Sequence, residues 1–218
     1  FSFADVIDEN RQIVNERNKS LGDMFQRPNL PEESYRRLLI LGGNFYCAPS
    51  ACIRMEDLEK CGYYRYGLVQ LQDYDLWMRL MMRGLLYVLP QKLTLYRRFR
   101  DNSNLSASDL YTDNRTRHEG QWIRYHILET MSANDFKKIM AGILQNPDAN
   151  TEKEIRIEKA FLLWSLNNCF AEKMFIELLE DDEIREIMEK KYHFGLNDFY
   201  KMNKEPINFD LFYKSIKQ

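Results

Sequence analysis

The stretch Gln72-Asp73-Tyr74-Asp75-Leu76-Trp77-Met78-Arg79, trailed by Tyr96-Arg97-Arg98-Phe99, constrains the fold of this chain more than any other segment. Leu76, Trp77, Leu80 and Met81 recur at helical spacing, so one apolar stripe faces a core while Arg79 and Arg83 look elsewhere. Asp73 falls at the start of that helix, where unpaired backbone donors and the positive end of the dipole favour a carboxylate. Its plainest role is that of an N-cap. Gly84 is placed to close the helix in the left-handed conformation, and a strand ending in Tyr96-Arg97 follows.

The alternation of strand and helix extends upstream. Phe1, Phe3 and Ile7 suit a strand, Asp8-Glu9-Asn10 a turn, and Gln12-Ile13-Val14 a returning strand. Pro31 to Leu41 reads as a helix with proline in its first turn and Gly42-Gly43 at its end. Near Ala107 the character changes. Helices are expected at about Asp109 to Met131, Asn134 to Leu144, Thr151 to Leu179 and Glu183 to Lys191, with turns at Asn146-Pro147-Asp148 and Gly195-Leu196-Asn197. Ile157, Ala160, Phe161 and Trp164 lie on one helical face and belong to a core, while the acidic run Glu177 to Glu183 reads as a solvated helix end. The expected fold class is therefore α/β of mixed α+β type over residues 1–106, followed by an all-helical region over residues 107–218.

With 44% hydrophobic and 13% aromatic residues in 218, the chain has ample material for one core or two small ones. A net charge of −2 gives no electrostatic basis for a nucleic-acid partner. Apolar runs such as Leu38 to Leu41 and Phe161 to Leu163 are too short to span a bilayer and no signal peptide is visible, so membrane association would be peripheral or encoded elsewhere. Cys47, Cys52, Cys61 and Cys169 form no C-x-x-C pair and have no neighbouring histidine, which favours buried thiols in a reducing compartment over zinc or disulfides. His118, His126 and His193 are scattered and fit surface or core roles better than metal ligation.

Several of these elements, in this order, resemble the second half of a GT-A-fold glycosyltransferase of family 2. Members carry a stretch like Glu-Asp-Tyr-Asp-Leu-Trp-x-Arg-Leu, then a small residue, a strand, and a Tyr-Arg-x-His element before a polar Asn-x-Ser tail. The counterparts here are Gln72 to Leu80, Gly84, Leu85 to Leu89, Tyr96-Arg97-Arg98-Phe99 and Asn104-Leu105-Ser106. Upstream, Asn44 to Arg54 looks like the family's Asn-x-x-x-x-x-Ser-x-x-x-Arg strand, with Ser50 and Arg54 matching. Met55 to Lys60 and Cys61-Gly62-Tyr63-Tyr64 look like its short helix and Gly-aromatic turn. The resemblance spans about Phe3 to Ser106, which makes residues 1–106 the acceptor-side part of such a domain and residues 107–218 a helical extension.

Two residues depart from the pattern: Gln72 replaces the first Glu, and Phe99 replaces the His and is expected to pack. The resemblance implies transfer of a sugar from a nucleotide-sugar donor to a carbohydrate or lipid-linked acceptor, with inversion and with Asp73 as the general base. It implies Mg²⁺ or Mn²⁺ held by an Asp-x-Asp motif. Asp73-Tyr74-Asp75 spells that motif but opens a helix, and Asp5-Val6-Ile7-Asp8 has the wrong spacing. The motif is therefore expected upstream of Phe1, which makes this chain a fragment, inactive and metal-free by itself. Asn44 and Gln72 are candidate acceptor contacts; Arg97, Arg98 and Arg100 are candidates to hold a diphosphate or an anionic acceptor. The setting would be cytoplasmic, including the inner face of a membrane. Two other classes remain: a non-catalytic helical interaction module, and a metal-dependent hydrolase using Asp73 and Asp75.

Overall fold

The computed structural model describes residues 1–84, 86–101, 103–104, 107 and 109–202. The expectations placed on Leu85, Leu105 and Ser106 lie outside the described residues. The chain divides into two compact units, Phe1–Gly120 and Gln121–Gln218. The helical character that begins near Ala107 thus contributes its first turns to the first unit.

In that unit, strand β1 (Ser2–Ile7) pairs in parallel with β2 (Leu89–Arg97), Ala4 opposite Thr94 and Ile7 opposite Arg97. A parallel pair cannot be joined by a tight turn and needs a crossover. Here the crossover carries helices α1 (Lys19–Met24), α2 (Glu32–Gly42), α3 (Met55–Cys61) and α4 (Gln72–Met81). Ala4, Val6, Phe25 and Cys47 form a buried cluster under β1, with Val14, Leu21, Met24 and Tyr96 against it. A second packing centre is aromatic: the Phe1 ring stacks on Tyr46 at 4.0 Å and meets Trp77 edge-on at 4.8 Å. The Tyr74 hydroxyl donates to the Leu39 carbonyl at 2.8 Å, tying α4 to α2 inside this core.

Several local expectations are corrected. Asn44 to Arg54 is no strand but extended chain around a short 3₁₀ turn at Ala48–Ser50, held by Ser50 Oγ donating to Cys47 O at 2.8 Å. Gln12 to Val14 forms a single antiparallel bridge, Ile13 to Ile7, because the Asp8 carboxylate accepts from the Asn10 and Gln12 amides and holds the turn tight. The strand expected from Leu85 starts at Leu89. Gly84 is not a left-handed cap; α4 ends at Met81 with Met82 still helical, and the turn runs on through Leu80 O to the Gly84 amide. Only Cys47 of the four thiols is buried, while Cys52 and Cys169 are exposed.

Helix α5 (Leu110–Thr130) supplies its last turns to the second unit. That unit continues with α6 (Ala133–Ile139), α7 (Glu152–Ser165), α8 (Phe170–Leu179), α9 (Asp182–Tyr192) and α10 (Leu196–Met202). The single helix expected over Thr151 to Leu179 is two, since Asn167 adopts a left-handed φ of 52° and Asn168 donates to the Gln121 carbonyl at 2.7 Å. The expected helix Asn134 to Leu144 stops at Ile139, before Gly142 at φ 85°, and α10 starts where a turn was read at Gly195-Leu196-Asn197. Ile157 and Ala160 are fully buried, as their spacing requires, with Phe161 edge-on to Phe175 at 5.1 Å. Within the acidic run Glu177 to Glu183, Asp181 is not merely solvated: it caps α9 through the Ile184 amide. Among the described residues no helix is long and apolar enough to cross a membrane.

Buried charges in this unit close on defined partners. Glu158 accepts from the Gln145 and Asn146 amides at 2.8 and 2.7 Å. Lys159 donates to Met131 O at 2.6 Å, and burial lowers its pKa. Glu154 completes a capping box with Thr151 and binds Lys191 at 2.6 Å. Burial alone would raise the Glu154 pKa, but the Lys191 ammonium, the Asn150 and Thr151 amides and the Thr151 hydroxyl outweigh it and bring it down to about 2. A carboxyl with a depressed folded pKa stabilises fully above its unfolded value and loses that contribution as pH falls toward the folded one. Urea midpoints should therefore drop between about pH 4.5 and pH 2, and drop less in Glu154→Gln. Parallel curves for the two proteins would refute this role.

Candidate active site

The loop entering α4 ends on Leu71, whose side chain cannot cap a helix. The loop before the helix is held from elsewhere: the Glu119 carboxylate takes the amides of Val69, Gln70 and Leu71 at 2.9, 2.9 and 2.7 Å. Asp73 is not the N-cap first assigned to it. It occupies the second helical position, where the positive helix end favours its charge without consuming both oxygens.

Asp73 is half-buried. Its Oδ1 accepts from the Tyr74 amide at 2.7 Å and its Oδ2 from Asn44 Nδ2 at 2.9 Å. Asn44 is itself oriented, because its Oδ1 accepts from the Tyr46 amide at 3.1 Å. Burial raises the Asp73 pKa, and the Tyr74 and Asn44 hydrogen bonds only partly offset it. The exposed Tyr64 stands close enough for the Asp73 charge to add to the rise of its own pKa, which burial dominates. Gln72 lies next to Asp73, with its Oε1 buried and unpartnered among the described residues. A carboxylate with raised basicity, held by one amide side chain and with a lone pair left on each oxygen, is equipped to accept a proton.

Asp75 does something else. It is fully buried, its Oδ1 meeting Arg65 Nη1 at 3.0 Å and its Oδ2 meeting Arg79 Nε and Nη2 at 2.9 and 2.7 Å. Arg79 continues to the carbonyls of Cys61, Gly62 and Tyr63 at 2.7 to 2.9 Å. Arg79 does not look away from the core as its helical position implied; it locks the α3 turn, with Gly62 at φ 81°, onto α4. A metal ion shared by Asp73 and Asp75 would have to displace both arginines. Among the described residues no group of three or more His, Cys, Asp or Glu side chains is arranged to hold a metal ion. Asp5 is taken up by Lys92 and Asn15, both at 2.7 Å.

Of the residues singled out in the sequence, Asn44, Gln72 and Asp73 come together, while Arg97 and Arg98 make no hydrogen bond or ion pair with Asp73. Asn44 donates to Asp73 and accepts from the Tyr46 amide. Arg97 is exposed on the end of β2, and Arg98 lines a separate cleft with Arg100. Asn104 closes the turn after β2, accepting from the Phe99 amide at 2.8 Å and donating to Arg97 O at 3.0 Å. Arg65 and Glu119 were missed. The Asp75–Arg79 pair had a visible signal in its i,i+4 spacing, whereas nothing local marks Glu119. No protein-family model, curated protein or solved structure matches this chain.

Truncating one partner of a buried ion pair leaves the other charge unsatisfied, at a cost of about 3–5 kcal/mol. Asp75→Ala should lose stability on that scale in urea unfolding, because both guanidinium groups lose their carboxylate. A loss under about 1 kcal/mol, the range of an exposed pair, would overturn this assignment.

Proposed function

We propose that this chain is the acceptor-side part of an inverting, GT-A-like glycosyltransferase in which Asp73 is the general base. One observation carries the reading: Asp73 and Asp75 sit two residues apart on α4, yet Asp75 is neutralised by two arginines while Asp73 is half-buried, basic and held by Asn44. Paired carboxylates driven to different roles by their surroundings are a mark of acid–base sites. The motif order quoted above gives the reaction class.

In this reading an acceptor hydroxyl lies within hydrogen-bond reach of Asp73 and gives up its proton as its oxygen attacks the anomeric carbon of a nucleotide-sugar. The new C–O bond forms on the face opposite the leaving nucleoside diphosphate, so configuration inverts. Mg²⁺ or Mn²⁺ would neutralise the departing diphosphate. Asn44 keeps the carboxylate aimed, and Gln72 beside it is the second candidate acceptor contact. The acceptor is a carbohydrate or lipid-linked saccharide, and the location is cytoplasmic.

Asp73→Asn retains the shape but cannot take a proton. In the full-length protein it should lower turnover by about two orders of magnitude or more while shifting stability by under about 1 kcal/mol. In the pH profile the acid limb reflects protonation of Asp73, above the ordinary aspartate range. Asn44→Ala removes a hydrogen bond that favours the carboxylate, so the limb should move to higher pH. Near-normal transfer by Asp73→Asn, or an acid limb unmoved in Asn44→Ala, would reject the assignment.

A further inference from the structure

At the amino-terminal ends of β1 and β2, against the half of α4 remote from Asp73, lies a cleft of about 660 Å³. That is the size of a small-molecule pocket. One wall is aliphatic, formed by Leu80, Leu86, Leu89 and Leu93, of which Leu89 and Leu93 are 43% and 68% exposed. Trp77 also lines the cleft. Its side chain is fully buried, yet its indole N–H meets no acceptor among the described residues, whereas a buried indole normally finds one. Arg54 and Arg83 stand exposed on the same lining, and neither guanidinium has an ion pair or hydrogen bond among the described residues. Asp57, the one carboxylate on that lining, pairs with neither. The cleft therefore joins a wetted aliphatic wall, a buried donor without an acceptor and two cations without an anion.

We propose that this cleft binds an amphipathic carboxylate, an aliphatic chain ending in a carboxyl group. The chain lies along Leu86, Leu89 and Leu93, and the carboxylate sits between the Trp77 indole and the two guanidinium groups. Each half of such a ligand answers an observation. The chain takes leucine surface out of water, and the carboxylate oxygens have lone pairs enough for an indole N–H and two charged donors at once. A neutral apolar molecule would leave the arginines and the indole unanswered, and an anion without a tail would leave the leucines wet. The site is independent of the reading of Asp73, which lines no part of the cleft.

Calorimetric titration of the 218-residue chain with sodium octanoate, well below its micelle concentration, tests the proposal. Saturable binding is expected, about tenfold tighter than that of octanol, which lacks the charge, and tighter than that of butanoate, which lacks the chain. Affinity should fall about tenfold in the double variant Arg54→Gln/Arg83→Gln, whose two exposed sites leave the fold intact by circular dichroism, and about threefold or more in Trp77→Phe. In ¹⁵N spectra, the indole resonance that Trp77→Phe lacks should shift as octanoate is added to the parent. Asp73→Asn should bind like the parent, so a failed cleft and a failed general base give different results. Absence of saturable octanoate binding, equal affinity for octanol, an unmoved Trp77 indole resonance or full binding by the folded double variant would overturn it. So would association with phosphatidylglycerol vesicles in place of octanoate, which would make this face a membrane contact.

Discussion

The buried Asp75 carboxylate is the constraint on which the first unit depends. An ionised group with no exposed surface is tolerable only with partners on both oxygens, and Arg65 and Arg79 supply them. The consequences spread outward. Arg79 holds three successive carbonyls after α3, and Arg65 carries the far side of the same loop, so the segment between α3 and α4 cannot shift without exposing a charge to the core. Trp77, Met78 and Leu80 then face inward from the helix so fixed.

This arrangement explains how two carboxylates on one helical turn acquire opposite duties. Positions two apart point about 200° apart around the axis, so Asp75 turns into the protein as Asp73 turns toward the loop and Asn44. The loop that sets the start of this helix is held by Glu119, which takes three successive amides from a distance of about 50 residues along the chain. Raised basicity at Asp73 is thus a property of the assembly: burial pushes it up, the Tyr74 amide and Asn44 restrain it, and a remote glutamate fixes the loop from which its helix starts.

Much of this frame was legible in the sequence because it is periodic or local. The α4 stripe and the α2 helix between Pro31 and Gly43 follow from spacing and punctuation, while the short α3 was expected from the resemblance alone. Failures occurred where distant residues decide. Asn44 to Arg54, expected as a strand from the resemblance, pairs with no strand among the described residues, and its polar groups close a 3₁₀ turn instead. The long α7–α8 pattern breaks at Asn167 because Asn168 answers a carbonyl on α5. Within the site, Asp73 and Asn44 were both singled out, yet their hydrogen bond was not foreseeable across 29 positions.

A two-stranded sheet is marginal by itself, so β1 and β2 depend on the crossover helices that bury β1. That dependence has a geometric result. The carboxyl ends of both strands must open into turns, since the chain leaves β1 toward α1 and leaves β2 toward α5, and these turns carry Asp8, Arg98 and Arg100. Asp5, along the strand, is consumed by Lys92 and Asn15, and Asp8, just beyond its end, is taken up by the Asn10 and Gln12 amides and by Arg100. The same sheet therefore commits its carboxylates by position: Asp5 ties β1 to Lys92 of β2, and Asp8 holds the turn that leaves β1.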